Sequence, residues 1–131
     1  MKKDIETHED IVLLVNSFYE KVKQDAVIQH FFTEVVKVDW EKHLPVMYRF
    51  WDNIIFHSGA YTGNPMEIHM QMHTKCPMHR KHFERWMELF TATVDELFEG
   101  EKAFQVKQRA LSIATVMQIK IASMPREESI Y

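Results

Sequence analysis

The chain has a single cysteine, Cys76, so no internal disulfide can brace it; a fold held by packing in the reducing cytoplasm is the expectation. Glycine occurs 3 times and proline 4 times in 131 residues. With so little punctuation and no period-two alternation of apolar and polar residues, long helices are the default and a β-fold is excluded. No apolar run approaches the roughly 20 residues that span a bilayer. The start, Met1-Lys2-Lys3-Asp4-Ile5-Glu6, lacks the apolar stretch of a secretory signal, so neither a membrane partner nor export is expected. Charge of one sign is also lacking: Lys and Arg number 16 against 19 Asp and Glu, a formal net charge of -3, which gives no basic footprint for nucleic acid. Common enzymatic signatures are missing too. There is no Gly-x-Ser-x-Gly, no phosphate-cradling glycine loop, no His-Glu-x-x-His and no Cys-x-x-Cys.

What is present is apolar material spaced for helices. Hydrophobic residues make up 46% and charged residues 27%, the balance of one soluble domain over residues 1–131, with a core from about 5 to 123 and a tail over 124–131. Thr7 is a natural N-cap, with Asp10 placed to close a capping box, and Ile11, Leu14, Val15, Phe18 and Val22 then form one stripe with Tyr19 at its edge. A short helix is expected over Ala26 to Phe32. Asp39 suits the N-cap of the next, which runs to about His57 and places His43, Met47, Phe50 and Ile54 on an inward face, flanked by Trp40, Leu44, Trp51 and Ile55. Gly59, Gly63 and Pro65 interrupt the pattern. Met66 to Thr74 fits two helical turns, followed by a helix from about Pro77 to Phe98 carrying Phe83, Trp86, Phe90 and Leu97 on one face. A last helix, Glu101 to Ser123, buries Val106, Ala110, Ile113, Met117 and Ile121.

Eight histidines and nine methionines are the chemically distinctive supply. His43 rides a long helix, whereas His69 follows the turn Tyr61-Thr62-Gly63-Asn64-Pro65-Met66; two imidazoles delivered in these ways can grip a flat, metal-centred ligand from both faces, and haem is such a ligand. A non-haem reading competes: His69, His73 and Cys76 have spacings suited to zinc or copper in a helical bundle. As isolated residues, His73, His79 and His82 read as solvated surface groups. Tyr19 alone reads as a core-edge tyrosine whose hydroxyl reaches water, and Arg85 as a solvated helix charge. Trp86 is balanced between core packing and a hydrogen-bond donor.

Taken in order, Phe18-Tyr19-Glu20-Lys21-Val22, Phe31-Phe32, Asp39-Trp40-x-x-His43-Leu44, Phe50-Trp51, Tyr61-x-Gly63-Asn64-Pro65-x-x-x-His69, His82-Phe83-x-Arg85-Trp86 and Arg109-Ala110 resemble a truncated haemoglobin of the third group. The resemblance covers about residues 5 to 122. It implies an all-α, two-over-two helical sandwich around haem b, with His69 as proximal iron ligand. On the distal side it implies Tyr19, His43 and Trp86, with Phe31 or Phe32 against the porphyrin edge. Position then suggests Met47 and Phe50 over the distal face, and Tyr61, Met66, Met70, His82 and Arg85 at the border, where Arg85 or His82 can meet a propionate. Met117 is placed to touch the proximal face. His43 keeps several readings: bonding the ligand, gating access, swinging out, or acting as a conditional sixth iron ligand.

The function expected is reversible binding of dioxygen, nitric oxide or carbon monoxide at a polar distal pocket. The enzymatic alternative is a nitric oxide dioxygenase or a peroxidase-like haem enzyme, which would need a separate reductase because no flavin or nicotinamide motif occurs here. A monomer or weak dimer is expected.

Overall fold

A computed structural model describes residues 2–31, 40–57 and 79–123, with side chains described as far as residue 120. Thr7 opens α1 (His8–Gln24) as its chemistry predicts: its hydroxyl accepts the Asp10 N–H and the Asp10 carboxylate accepts the Thr7 N–H. That carboxylate also takes the Glu6 N–H and the Lys3 ammonium. Burial pushes the Asp10 pKa up, but these donors outweigh it and hold the group below its usual value. The α1 stripe is buried as expected, including Ile11, Leu14, Val15, Phe18 and Val22.

After Asp25 the chain makes a turn at 26–28 and a short helical stretch at 29–31. The Asp25 carboxylate accepts the Val27 and Ile28 N–H groups, which ties this corner down. α2 (Trp40–Phe56) follows, with Pro45 in its second turn, where the missing N–H costs one bond to the Glu41 carbonyl. Which α2 face is deepest differs from the expectation. Trp51 and Ile55, placed as flanking residues by periodicity, are the buried ones, whereas His43, Met47, Phe50 and Ile54 are half-buried. Trp51 is pulled into the core by stacking on Phe90, centroids 5.2 Å apart.

α3 (Arg80–Leu97) starts after His79, whose extended backbone is that of an N-cap, rather than at Pro77, and ends at Phe98. α4 (Glu101–Ser123) has the bounds read from the sequence and buries Val106, Ala110 and Met117. Its N-terminus is capped from far away in the chain: Asp4 accepts the Lys102 N–H at 2.9 Å and the Ala103 N–H at 2.8 Å. Gly100 makes room for this, since a Cβ there would lie 2.6 Å from Asp4 Cγ, and its φ of +139° suits glycine. The Glu99 N–H bonds to the Lys3 carbonyl, and Ile5 is fully buried, so residues 3–5 fasten the α3–α4 corner.

α1 packs against both α2 and α3, and α3 against α4, so the α1–α2 pair lies over the α3–α4 pair. No strand occurs among the described residues, and no described helix is long and apolar enough to cross a membrane. The centre is aromatic. Phe90 stands between Trp51 and Trp86, stacked on the latter with centroids 5.5 Å apart and planes at 9°, and meets Phe18 edge-on at 5.2 Å.

Candidate ligand site

Tyr19 and His43 come together where α1 crosses α2. The Tyr19 hydroxyl lies 3.2 Å from His43 Nε2, and Trp40 packs edge-on against both rings, at 5.1 Å from Tyr19 and 5.7 Å from His43. Tyr19 is buried, which answers the solvent-reaching reading: its hydroxyl meets an imidazole. Burial pushes the phenol pKa far above its ordinary value, so the group stays protonated; it donates to Nε2 when that nitrogen is bare and accepts when Nε2 carries the proton. Lys23 lies over the Trp40 face, its ammonium 4.6 Å from the ring centroid.

Trp86 on α3 is half-buried, with its ring edge-on to Phe18, the neighbour of Tyr19, at 5.6 Å and stacked on Phe90. Along α2, Met47, Phe50 and Ile54 continue from His43 as half-buried apolar side chains. α2 is unusual in this respect. Only Trp51 and Ile55 of its 17 residues are buried, against seven residues of the equally long α1: Asp10, Ile11, Leu14, Val15, Phe18, Tyr19 and Val22.

The arrangement is an apolar wall with a polar Tyr–His pair at one end, which is the donor set a flat hydrophobic group with a small polar ligand on it requires. Among the described residues, this apolar row with one polar pair is of a chemistry that fits one face of a haem. His69, Phe32, Tyr61 and Met66 lie outside the described residues, as do Met70, His73 and Cys76. No described group of three His, Cys, Asp or Glu residues could hold a bare metal ion.

Two border residues are placed with partners of their own. His82 is buried, which corrects its reading as a solvated surface group: its ring stands edge-on to Phe31 at 4.8 Å, and its Nδ1 accepts the His79 N–H at 2.8 Å. That bond leaves the proton of the neutral ring on Nε2. Burial, together with Lys81, His79 and His30, holds the His82 pKa below its usual value. His79 is exposed as expected. Arg85 is not a purely solvated charge: it bonds the buried Asp25 carboxylate at 2.7 Å and Glu88 at 3.1 Å, and these partners raise its pKa. Phe31 is buried in the main core, and Met117 belongs to a smaller cluster with Phe83 and Ala114, which Trp86, Met87 and Ile113 border. Two surface grooves, one at Ser17 and Leu97 and one along α3 and α4, lie away from the Tyr19–His43 pair, which is singled out by its chemistry.

A family model for bacterial-like globins matches residues 3–121. The chain belongs to the bacterial-like globin family. It is 28% identical over 121 residues to a group 3 truncated hemoglobin of Campylobacter jejuni, covering 90% of this chain and 93% of that relative. A crystal structure of a group III truncated hemoglobin from Campylobacter jejuni superposes with a TM-score of 0.82 at 27% identity, covering 97% of this chain and 100% of that one. The fold is thus the truncated globin fold.

Sequence reasoning placed Trp40 in a motif without giving it a site role, though it touches both members of the polar pair, and it passed over Asp25, which holds Arg85. Trp40 had a detectable signal, being one helical turn before His43. Asp25 had a local one, since Asp at the end of a helix before an apolar turn is a common cap for the backbone that follows.

Proposed function

We propose that this globin binds haem b and holds dioxygen, or another diatomic ligand, reversibly beside Tyr19. The observation that carries the reading is the buried Tyr19 hydroxyl meeting half-buried His43 at the end of a half-buried apolar row on α2. When bound, the haem would supply an iron able to take a diatomic ligand. The chain's own residues do the rest. The Tyr19 phenol, kept neutral by burial, turns its O–H toward a ligand that has become an acceptor, and His43 Nε2 orients it or takes its place. Met47 and Phe50 exclude water from the distal face, and Trp86 closes the side. His69 is the proximal anchor in this reading, borne with the haem on one domain spanning the chain. The similar proteins are truncated hemoglobins of the third group, which supports the same assignment.

An ultraviolet–visible spectrum of purified protein, ferric and then reduced, tests it. A strong Soret band is expected from protein made with an ample haem supply. Colourless protein retaining stoichiometric zinc would sink the reading. His69→Ala is expected to lose haem and His43→Ala to keep it; equal loss in both would remove the proximal and distal assignment.

A further inference from the structure

His82 carries a hydrogen-bond donor that the described fold leaves without a partner. Its Nδ1 accepts the His79 N–H at 2.8 Å, so the neutral ring keeps its proton on Nε2. His82 is only 7% exposed, and no described residue offers Nε2–H an acceptor. Folded proteins seldom leave such a group unmatched, because a buried donor without an acceptor costs stability. The surroundings specify the missing partner. His30 and His79 stand with ring centroids 5.9 and 5.7 Å from that of His82, and together with Lys81 they oppose positive charge on its ring. An acceptor that carries negative charge answers both conditions, and a carboxylate is one.

Arg85, the other basic side chain expected at this border, is already engaged. Its Nε and Nη2 each lie 2.7 Å from Asp25 Oδ1, and its Nη1 lies 3.1 Å from Glu88. The Asp25 carboxylate is buried, so drawing Arg85 away to another anion would strand a buried negative charge.

We propose that His82 Nε2–H, and not Arg85, holds a propionate carboxylate of the haem, an assignment that rests on the haem reading above. His82 precedes Trp86 by one turn on the same face of α3 and stands edge-on to Phe31 at 4.8 Å. Both neighbours are residues which that reading sets against the haem. The backbone bond to Nδ1 fixes the imidazole before any ligand arrives, so little side-chain freedom remains to be lost when the carboxylate binds.

Haem loss tests the assignment, followed as transfer from the loaded protein to excess apomyoglobin, once with protohaem and once with haem whose two propionates are methyl esters. His82→Phe should speed the loss of protohaem about tenfold or more, the effect of removing a hydrogen bond to a charged group, and should leave loss of the diester within about twofold of the unaltered chain. For Arg85→Gln the ratio between the two rates should stay that of the unaltered chain, whatever the substitution does to stability. A second measurement needs no substitution at all. In the nuclear magnetic resonance spectrum of the unaltered chain, the His82 Nε2–H proton should move downfield when zinc protoporphyrin IX binds and should not do so with its dimethyl ester.

Equal protohaem loss from the unaltered chain and His82→Phe overturns the assignment, as does an Nε2–H signal indifferent to esterification. A ratio that collapses in Arg85→Gln gives the propionate to Arg85 instead. If inorganic phosphate shifts the same signal in haem-free protein and porphyrin does not, the donor belongs to a free anion. A chain that takes up neither haem overturns the haem reading itself, an outcome separate from a chain that binds haem without using His82.

Discussion

The Tyr19 hydroxyl and His43 Nε2, 3.2 Å apart across the α1–α2 crossing, form a hydrogen bond between two helices that is shielded by Trp40. Removing the hydroxyl in Tyr19→Phe keeps the ring packing and leaves the imidazole without this bond. The expected cost to stability is about 1 kcal/mol, read as a shift in the denaturant midpoint. If the phenol also bonds the gas ligand, dioxygen release should quicken roughly tenfold in stopped-flow displacement, since about 1.4 kcal/mol is lost only in the bound state. An unchanged rate with the stability loss intact would confine Tyr19 to holding α1 to α2.

Trp86 has two separable parts, a ring that packs and an indole N–H that can donate. The ring is stacked on Phe90 and edge-on to Phe18. Trp86→Phe should keep most of the packing, costing under about 1.5 kcal/mol as a mildly volume-reducing apolar exchange. Phe90→Ala, which empties the space between Trp51 and Trp86, should cost about 3–5 kcal/mol. Faster ligand release in Trp86→Phe at near-normal stability would assign the N–H to the ligand; normal release would make Trp86 a core residue.

Much of this arrangement was legible in the sequence where the physics is local. The Thr7–Asp10 box, the α1 stripe and the ends of α4 follow from capping chemistry and helical period, which depend on neighbouring residues alone. The family pattern put Tyr19 and His43 on one side of the expected site, but their meeting came from the structure, because helical period says which way a residue faces and not what it meets. Periodicity misjudged α2 because that helix is apolar around much of its circumference; which row goes deepest is decided by Phe90 on another helix. His82 was misread for the same reason, since its burial comes from Phe31.

Asp4 was invisible to any local rule, because its partners are the Lys102 and Ala103 N–H groups at the other end of the chain. Asp4→Ala should remove the cap of α4 and cost about 1–2 kcal/mol. Gly100→Ala should destabilise by about 1–3 kcal/mol, because the backbone is left-handed there and the new Cβ runs into Asp4. The two substitutions share one contact, so the double variant should lose less than the sum of the singles in chemical denaturation. Strict additivity would mean that the crowding is not what Gly100 relieves.

Stability should fall in two separate steps as the pH drops. The His82 pKa is lowered in the folded protein, chiefly by burial and then by Lys81, His79 and His30, so the unfolded chain binds a proton first. Its contribution is full above the unfolded value of about 6.5 and is lost as pH falls from there through the folded value. Asp4 and Asp10 titrate later. Burial alone would raise both, but backbone N–H groups around Asp4, and Lys3 with two backbone N–H groups around Asp10, hold them below the ordinary carboxylate value. Their contribution is therefore present above about 4 and is lost below it, as pH falls through the folded values. Melting temperature measured against pH should show a shallow decline beginning near neutrality and a steeper one in acid. His82→Asn should flatten the first limb and leave the second, while Asp4→Asn should reduce only the second. A His82→Asn profile that still declines from pH about 6.5 would assign the first limb to another histidine.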